Sequence, residues 1–261
     1  MPERKSIPSR SKASGNTSHR DLNIIIEKLL NPNEINRQDW LKKKLTSLPK
    51  GLLILDAGAG ELKNKKYCKH LEYISQDFCQ YDGGMQFEEG LQTKSWDTSR
   101  IDIVSDITSI PRQDASFDVI LCSEVLEHVP EPTHVLDEFV RLLKPGGKLI
   151  ITAPFASLVH FAPYHYCTGF SRYWYEYHLI NRNLEILEMT PNGDWFDYCR
   201  QELIRLGSAS KKYGYWLWPF GYFIGMMGIL FFLFKNNRTK ASDLACFGWH
   251  CIAVKKSENV F

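Results

Sequence analysis

The residues able to do chemistry cluster behind a series of short apolar runs. Asp56-Ala57-Gly58-Ala59-Gly60 follows the apolar stretch 52–55. A glycine pair at that point lets the backbone turn sharply and come close to a ligand. A dinucleotide fold would add a third glycine, so that a pyrophosphate rests on a helix N-terminus, but Lys63 stands in that place. The pair alone is equally compatible with a tight strand-to-helix turn. Asp77 comes nineteen residues after Gly58, where an acid can accept both hydroxyls of a ribose. Asp106 follows the run 101–104 and can accept from an exocyclic amine such as that of adenine. Singly, each acid also suits a turn or a helix cap. On three successive strand ends the joint pattern outweighs those separate explanations.

Further along, Glu124 and His128 are four residues apart and share one helix face, with Glu127 beside them. His160, Tyr164, His165 and Tyr166 open an aromatic block that runs to Tyr177. Histidine titrates near neutrality and suits general-base work, so His128, His160 and His165 are the candidate bases, with Glu124. The competing explanations are a helix-start network for the Glu-His pair and a packed aromatic lid for the block. The five-residue spacing of His160 and His165 fits neither usual zinc pattern, so no metal is expected.

The elements that must position these groups alternate. Apolar runs at 52–55, 72–75, 101–104, 117–122 and 148–152 each end in polar or small residues. Short apolar strands of this kind predict a parallel sheet buried on both faces, with a site at the carboxyl ends of the strands. Residues 34–47 read as a helix stopped by Pro49-Lys50-Gly51. The clearest helix starts near Pro132, buries Val135, Leu136, Phe139, Leu142 and Leu143, and stops at Lys144-Pro145-Gly146-Gly147. Further strands are expected at 184–189 and 246–254.

The segments ILDAGAGEL, EYISQDF, DIVSDITSIP, ASFDVILCSEVLEHVP and LLKPGGKLIITAP, in that order and spacing, resemble the class I S-adenosylmethionine-dependent methyltransferases, most closely the type 11 methyltransferase domain. The resemblance covers residues 51–155. It implies a Rossmann-like α/β fold: a seven-stranded, mostly parallel sheet with an antiparallel last strand and helices on both faces. It implies that Asp56, Ala57, Gly58, Ala59 and Gly60 hold the methionine part of S-adenosylmethionine. Asp77 would bind the ribose, Asp106 and the backbone at Ile107 the adenine, and Phe78 would also contact the cofactor. Ser123 and Glu124 would line the cofactor and its methyl group. The family has glycine near position 62, where this chain has leucine. The cofactor carries no phosphate, which agrees with a glycine turn accompanied by acids rather than by lysine and serine.

Composition narrows the setting. Thirty-two Lys and Arg against 30 Asp and Glu leave a net charge of +2, which argues against organisation around nucleic acid. The seven cysteines form no C-x-x-C pair, and no apolar leader segment opens the sequence, so a cytoplasmic setting is expected. Residues 1–20 read as a flexible basic arm, 21–50 as N-terminal helices, 51–155 as the cofactor-binding core and 156–200 as the acceptor region. Residues 201–245 carry an apolar insert before the last strand at 246–256. Within it, 215–234 is twenty residues without a charge, flanked by Lys211, Lys212, Lys235, Arg238 and Lys240. The length would permit a membrane-spanning helix, but one crossing would separate the last two strands of one sheet. A membrane-surface or re-entrant hairpin is therefore expected, peripheral on the inner face of a membrane, against a helical lid or dimer contact. The expected reaction is methyl transfer to an oxygen of a small or lipid-linked, for instance glycan, acceptor. The competing class is a non-catalytic module of the same fold that serves as a membrane or partner-binding scaffold. A nicotinamide oxidoreductase is disfavoured by Lys63.

Overall fold

The computed structural model describes residues 30–81, 83, 90–91, 95–232 and 241–257. The basic arm, the first part of the N-terminal helices (21–29), and Lys235, Arg238 and Lys240 lie outside these residues.

The first described helix, α1 (Pro32–Thr46), carries Pro32 in its first turn, where a missing N–H costs nothing. Leu41 and Leu45, four apart, are fully buried against Ile54, Val119, Leu121 and Ile150. They cover one face of the sheet. The strands are β1 (Leu53–Ala57), β2 (Glu72–Asp77), β3 (Ile103–Val104) and β4 (Phe117–Ser123). After α2 (Pro132–Leu142) comes β5 (Leu143–Pro154). The helix α2 turns Val135, Leu136, Phe139 and Leu142, all fully buried, onto the opposite face. Removing a buried aromatic such as Phe139 from this layer costs about 3–5 kcal/mol.

Then follow α3 (Arg172–Ile180), β6 (Leu184–Asn192), α4 (Trp195–Lys212), α5 (Trp218–Phe232) and β7 (Gly248–Lys255). Among the described residues the sheet has seven strands in the order β3-β2-β1-β4-β5-β7-β6. The pairs β1–β2, β1–β4, β2–β3 and β4–β5 are parallel, while β7 runs antiparallel to both β5 and β6. This is the expected α/β, Rossmann-like sheet with an antiparallel last strand. The strand order reverses between β1 and β4, so a crevice opens there at the carboxyl ends. The third strand is shorter than expected: Ile103 and Val104 pair with Gln76 and Asp77 of β2, and the described strand does not extend back to 101.

The apolar insert forms a helical hairpin. Asp194 caps α4, accepting from the N–H groups of Phe196 (3.0 Å) and Asp197 (3.1 Å). Residues 213–217 turn the chain back, and α5 lies antiparallel on α4 through Gly221, Gly225 and Gly228. A side chain at Gly221 would stand 2.9 Å from the Gly207 Cα, so the backbones meet only because both positions are glycine. Elsewhere α5 is open: Phe220, Phe223, Met226, Met227, Leu230 and Phe231 are exposed, Phe231 by 75%. Fifteen residues give a helix of about 22 Å, and among the described residues no helix is long and apolar enough to cross a membrane.

Candidate active site

The bend after β1 depends on positive φ. Gly58 sits at φ 74° and Gly60 at φ 50°. A Cβ on Gly58 would lie 2.4 Å from a methyl of Val125, so the turn also needs the missing side chain to pass the β4 loop. Leu62, where the family's glycine was expected, takes φ 60°. The leucine occupies the left-handed backbone that glycine adopts without strain, at a cost of about 1–2 kcal/mol.

Asp77 ties this bend to β2. One carboxylate oxygen accepts from the Gly60 N–H and the other from the Cys79 N–H, both at 2.9 Å. Sequence reasoning placed Asp77 beside a ligand; the structure adds that it holds the glycine loop. A cavity of about 460 Å³ opens over it, lined by Gly58, Asp77, Phe78, Asp106, Ile107 and Glu124. Asp106 is exposed and accepts from the Thr108 N–H (2.8 Å) and hydroxyl (2.7 Å), which closes a tight turn at the cavity rim. Phe161 meets Tyr81 and Trp96 edge to face at 4.7 and 4.9 Å, Tyr81 and Trp96 lie tilted at 5.3 Å, and the three wall the cavity on one side.

Asp56 and Ala57 are not among the residues lining this cavity or its neighbour. Asp56 is buried beneath the loop and accepts from the Tyr73 hydroxyl at 2.6 Å. Burial raises its carboxyl pKa to about 6, against the lowering effect of that hydrogen bond. Ala59 and Gly60 line the second cavity, of about 440 Å³, with Ser123, Glu124, Glu127, His128 and His160. Glu124 and His128 border both spaces.

Glu124 is also strained, at φ 56° directly after β4. Its carboxylate accepts from Arg37 at 2.9 Å and from the Thr152 hydroxyl at 3.0 Å. Arg37 also pairs with Glu34. These partners come from α1 and β5, far from Glu124 in sequence, and nothing in their local pattern marks them. The expected helix face carrying Glu124 and His128 is instead a single 3₁₀ turn at Leu126–His128. His128 donates from Nδ1 to the Tyr164 carbonyl at 2.6 Å. The backbone carbonyl of Glu127 accepts from the Tyr166 (2.9 Å) and Cys167 (3.1 Å) N–H groups. Those bonds dock the aromatic block onto the β4 loop.

The docking brings three histidines together. The ring centroids of His128 and His160 are 4.7 Å apart, those of His160 and His165 4.9 Å. Burial holds the His128 imidazole down to about pKa 3, helped by His160, and lowers His160 and His165 as well. All three are neutral near pH 7. Burial pushes the Glu127 carboxyl up, and the neighbouring Glu124 charge adds to it. Metal-ligand spacing judged along the chain compared only His160 with His165; the third imidazole comes from a loop on another strand.

Comparisons with known proteins agree with this architecture. Residues 55–151 match the family model of the methyltransferase domain, Methyltransf_11. Ubiquinone biosynthesis O-methyltransferase of Xanthomonas oryzae pv. oryzae is 43% identical over 63 residues, 24% of this chain and 26% of that protein. The same enzyme of Xylella fastidiosa is 45% identical over 53 residues, 20% of this chain and 21% of that one. The chain thus aligns with about a quarter of the length of these curated relatives. Among solved structures, a chain from the Haloferax volcanii complex of the Trm112 methyltransferase activator superposes with a TM-score of 0.52 at 12% identity, over 94% of this chain and 99% of that one. The cyclase SpnF gives 0.51 at 17% identity, over 85% and 80%. Both likenesses concern the fold.

Proposed function

We propose that this chain, whose residues 55–151 form a class I S-adenosylmethionine-dependent methyltransferase domain, transfers a methyl group to an oxygen of a small or lipid-linked acceptor. The observation that carries the reading is the glycine bend clamped by Asp77, opening onto two adjoining cavities that share Glu124 and His128. The donor set fits the cofactor. Asp77, Asp106 and Glu124 line the first cavity, and among the described residues no lysine or arginine does. A cationic sulfonium without phosphate suits such a lining, whereas a pyrophosphate does not.

When bound, the cofactor supplies a methyl group already activated on sulfur. Asp77 and Asp106 would hold the nucleoside, and Phe78 and Ile107 its flat faces. Val125 and the Tyr81–Trp96–Phe161 wall would keep water from the reacting atoms. Arg37 and Thr152 fix the Glu124 carboxylate at the junction of the cavities, where the acceptor must line up with the sulfur–methyl bond. Oxygen as the methylated atom is favoured by the names of the two curated relatives. Calorimetry with S-adenosylhomocysteine tests the reading: binding that is lost in Asp77→Ala supports it, and no binding to the wild type favours the non-catalytic scaffold. Incubation with labelled cofactor and a cell membrane extract then identifies the acceptor.

A lipid-linked acceptor is supported by the open face of α5, where Phe220, Phe223, Met226, Met227 and Phe231 point away from α4. Lys211 and Lys212 stand at the adjoining end of α4, as a helix lying in the interface of an acidic bilayer requires. Liposome flotation decides. The paired substitutions Phe223→Glu and Phe231→Glu, at exposed sites that leave the helix contact intact, should abolish flotation on acidic vesicles. Unchanged flotation removes the membrane claim.

A further inference from the structure

Three imidazoles of the aromatic block and the β4 loop converge beside the cavity that the acceptor would enter. One coordinating atom from each of His128, His160 and His165 lies within 4.8 Å of the others. Their hydrogen bonds set the tautomers. His128 Nδ1 meets the Tyr164 carbonyl (2.6 Å) and His160 Nδ1 meets the Leu158 carbonyl (2.9 Å). A carbonyl only accepts, so both Nδ1 atoms carry the proton and both Nε2 atoms present a lone pair. His128 Nε2 is buried without a hydrogen-bond partner, and so are both ring nitrogens of His165. Buried nitrogens of this kind cost free energy unless something completes them.

Beside them Glu127 is fully buried, and neither of its carboxylate oxygens has a hydrogen-bond partner; one stands 3.6 Å from His128 Nε2. A cation among the three rings would satisfy the lone pairs and the carboxylate together. A backbone carbonyl that orients a histidine through its far nitrogen is the usual second layer of a metal site.

We propose that His128, His160 and His165 bind one divalent transition-metal ion of the zinc class, with Glu127 as its buried counter-charge and a fourth position open to the acceptor cavity. Three neutral nitrogen ligands with an open position match a reactive rather than a structural zinc site. Tetrahedral coordination at about 2.0–2.1 Å sets neighbouring nitrogens about 3.4 Å apart. Ring rotations close the remaining difference. His160 and His128 both line the second cavity, so the open position faces the space beside Glu124.

The role of the ion rests on the methyltransferase reading. An acceptor hydroxyl on the metal loses its proton to water more readily than a free one. Its oxygen then bonds to the methyl carbon as the carbon–sulfur bond breaks, with that bonding pair passing to sulfur. Each turnover releases one methyl ether, one proton and one S-adenosylhomocysteine.

The test titrates the full chain, stripped with a chelator, with Zn²⁺ by calorimetry and with Co²⁺ by visible absorption. The expected result is one equivalent bound, with a tetrahedral Co²⁺ spectrum lacking a thiolate charge-transfer band. His160→Ala and His165→Ala, which stay clear of the nucleoside cavity, should each weaken binding by more than about 100-fold. Both should keep their affinity for S-adenosylhomocysteine, which reports an intact fold. No stoichiometric uptake, uptake unchanged in both variants, or a thiolate band overturns the site. Metal uptake by a wild type that fails to bind S-adenosylhomocysteine would leave the site standing and remove the methyltransferase reading.

Discussion

Placing a methyl group on Gly58 tests how the site is built. Two costs are readable at that position. The residue sits at φ 74°, where an alanine pays about 1–2 kcal/mol for a left-handed backbone. Its Cβ would also stand 2.4 and 2.8 Å from the two methyls of Val125, on the loop after β4. Overpacking of this kind costs about 1–3 kcal/mol. Gly58→Ala should therefore destabilise the protein by about 2–5 kcal/mol, a fall in Tm of about 5–15 °C. The two parts can be separated. Val125→Ala removes the colliding methyls and leaves the backbone cost in place. A double-mutant cycle should then return a favourable coupling of about 1–3 kcal/mol, measured by chemical denaturation. Calorimetry with S-adenosylhomocysteine on the same proteins should show affinity lost in Gly58→Ala and partly regained in the double variant. A Tm for Gly58→Ala within about 1 °C of wild type, or strictly additive effects, would refute the reasoning, because additivity means that the two loops do not touch.

Three further outcomes follow from particular contacts. Asp77→Asn keeps one acceptor oxygen but turns an amide toward one of the Gly60 and Cys79 N–H groups, so stability should fall by about 1–3 kcal/mol and calorimetry should show weaker S-adenosylhomocysteine binding. Asp56, raised to about pKa 6 by burial from 3.8, binds its proton more tightly folded than unfolded. Its contribution is therefore full below pH 3.8 and lost as pH rises through about 6, a swing of about 3 kcal/mol. Asp56→Asn should accordingly gain on the wild type by about 2 kcal/mol between pH 4.5 and pH 7 in denaturation midpoints; a constant difference would contradict it. Leu62→Gly relieves the left-handed leucine and should raise stability by about 0.5–1 kcal/mol, seen as a higher Tm with unchanged S-adenosylhomocysteine affinity.

The core of the fold was legible in the chain. Apolar runs that end in Asp56, Asp77, Asp106 and Ser123 are local signals, because strands buried on both faces need unbroken hydrophobic residues and the ligand edge needs polar ones. The glycine pair was equally local, since a left-handed bend demands residues without a Cβ. What tertiary structure alone decided lies between distant segments. Asp56 reads in sequence as part of the ligand loop, yet its carboxylate turns inward to Tyr73 of the neighbouring strand. Arg37 reaches Glu124 across 87 residues, a partnership with no periodic mark. His128 joins His160 and His165 only because the Glu127 carbonyl docks the later loop. The apolar run 215–234 announced its hydrophobicity, but its pairing with α4 rests on Gly207 meeting Gly221, a contact that exists only once two backbones approach. Local pattern settles which elements form; long-range approach settles which side chains they deliver to one place.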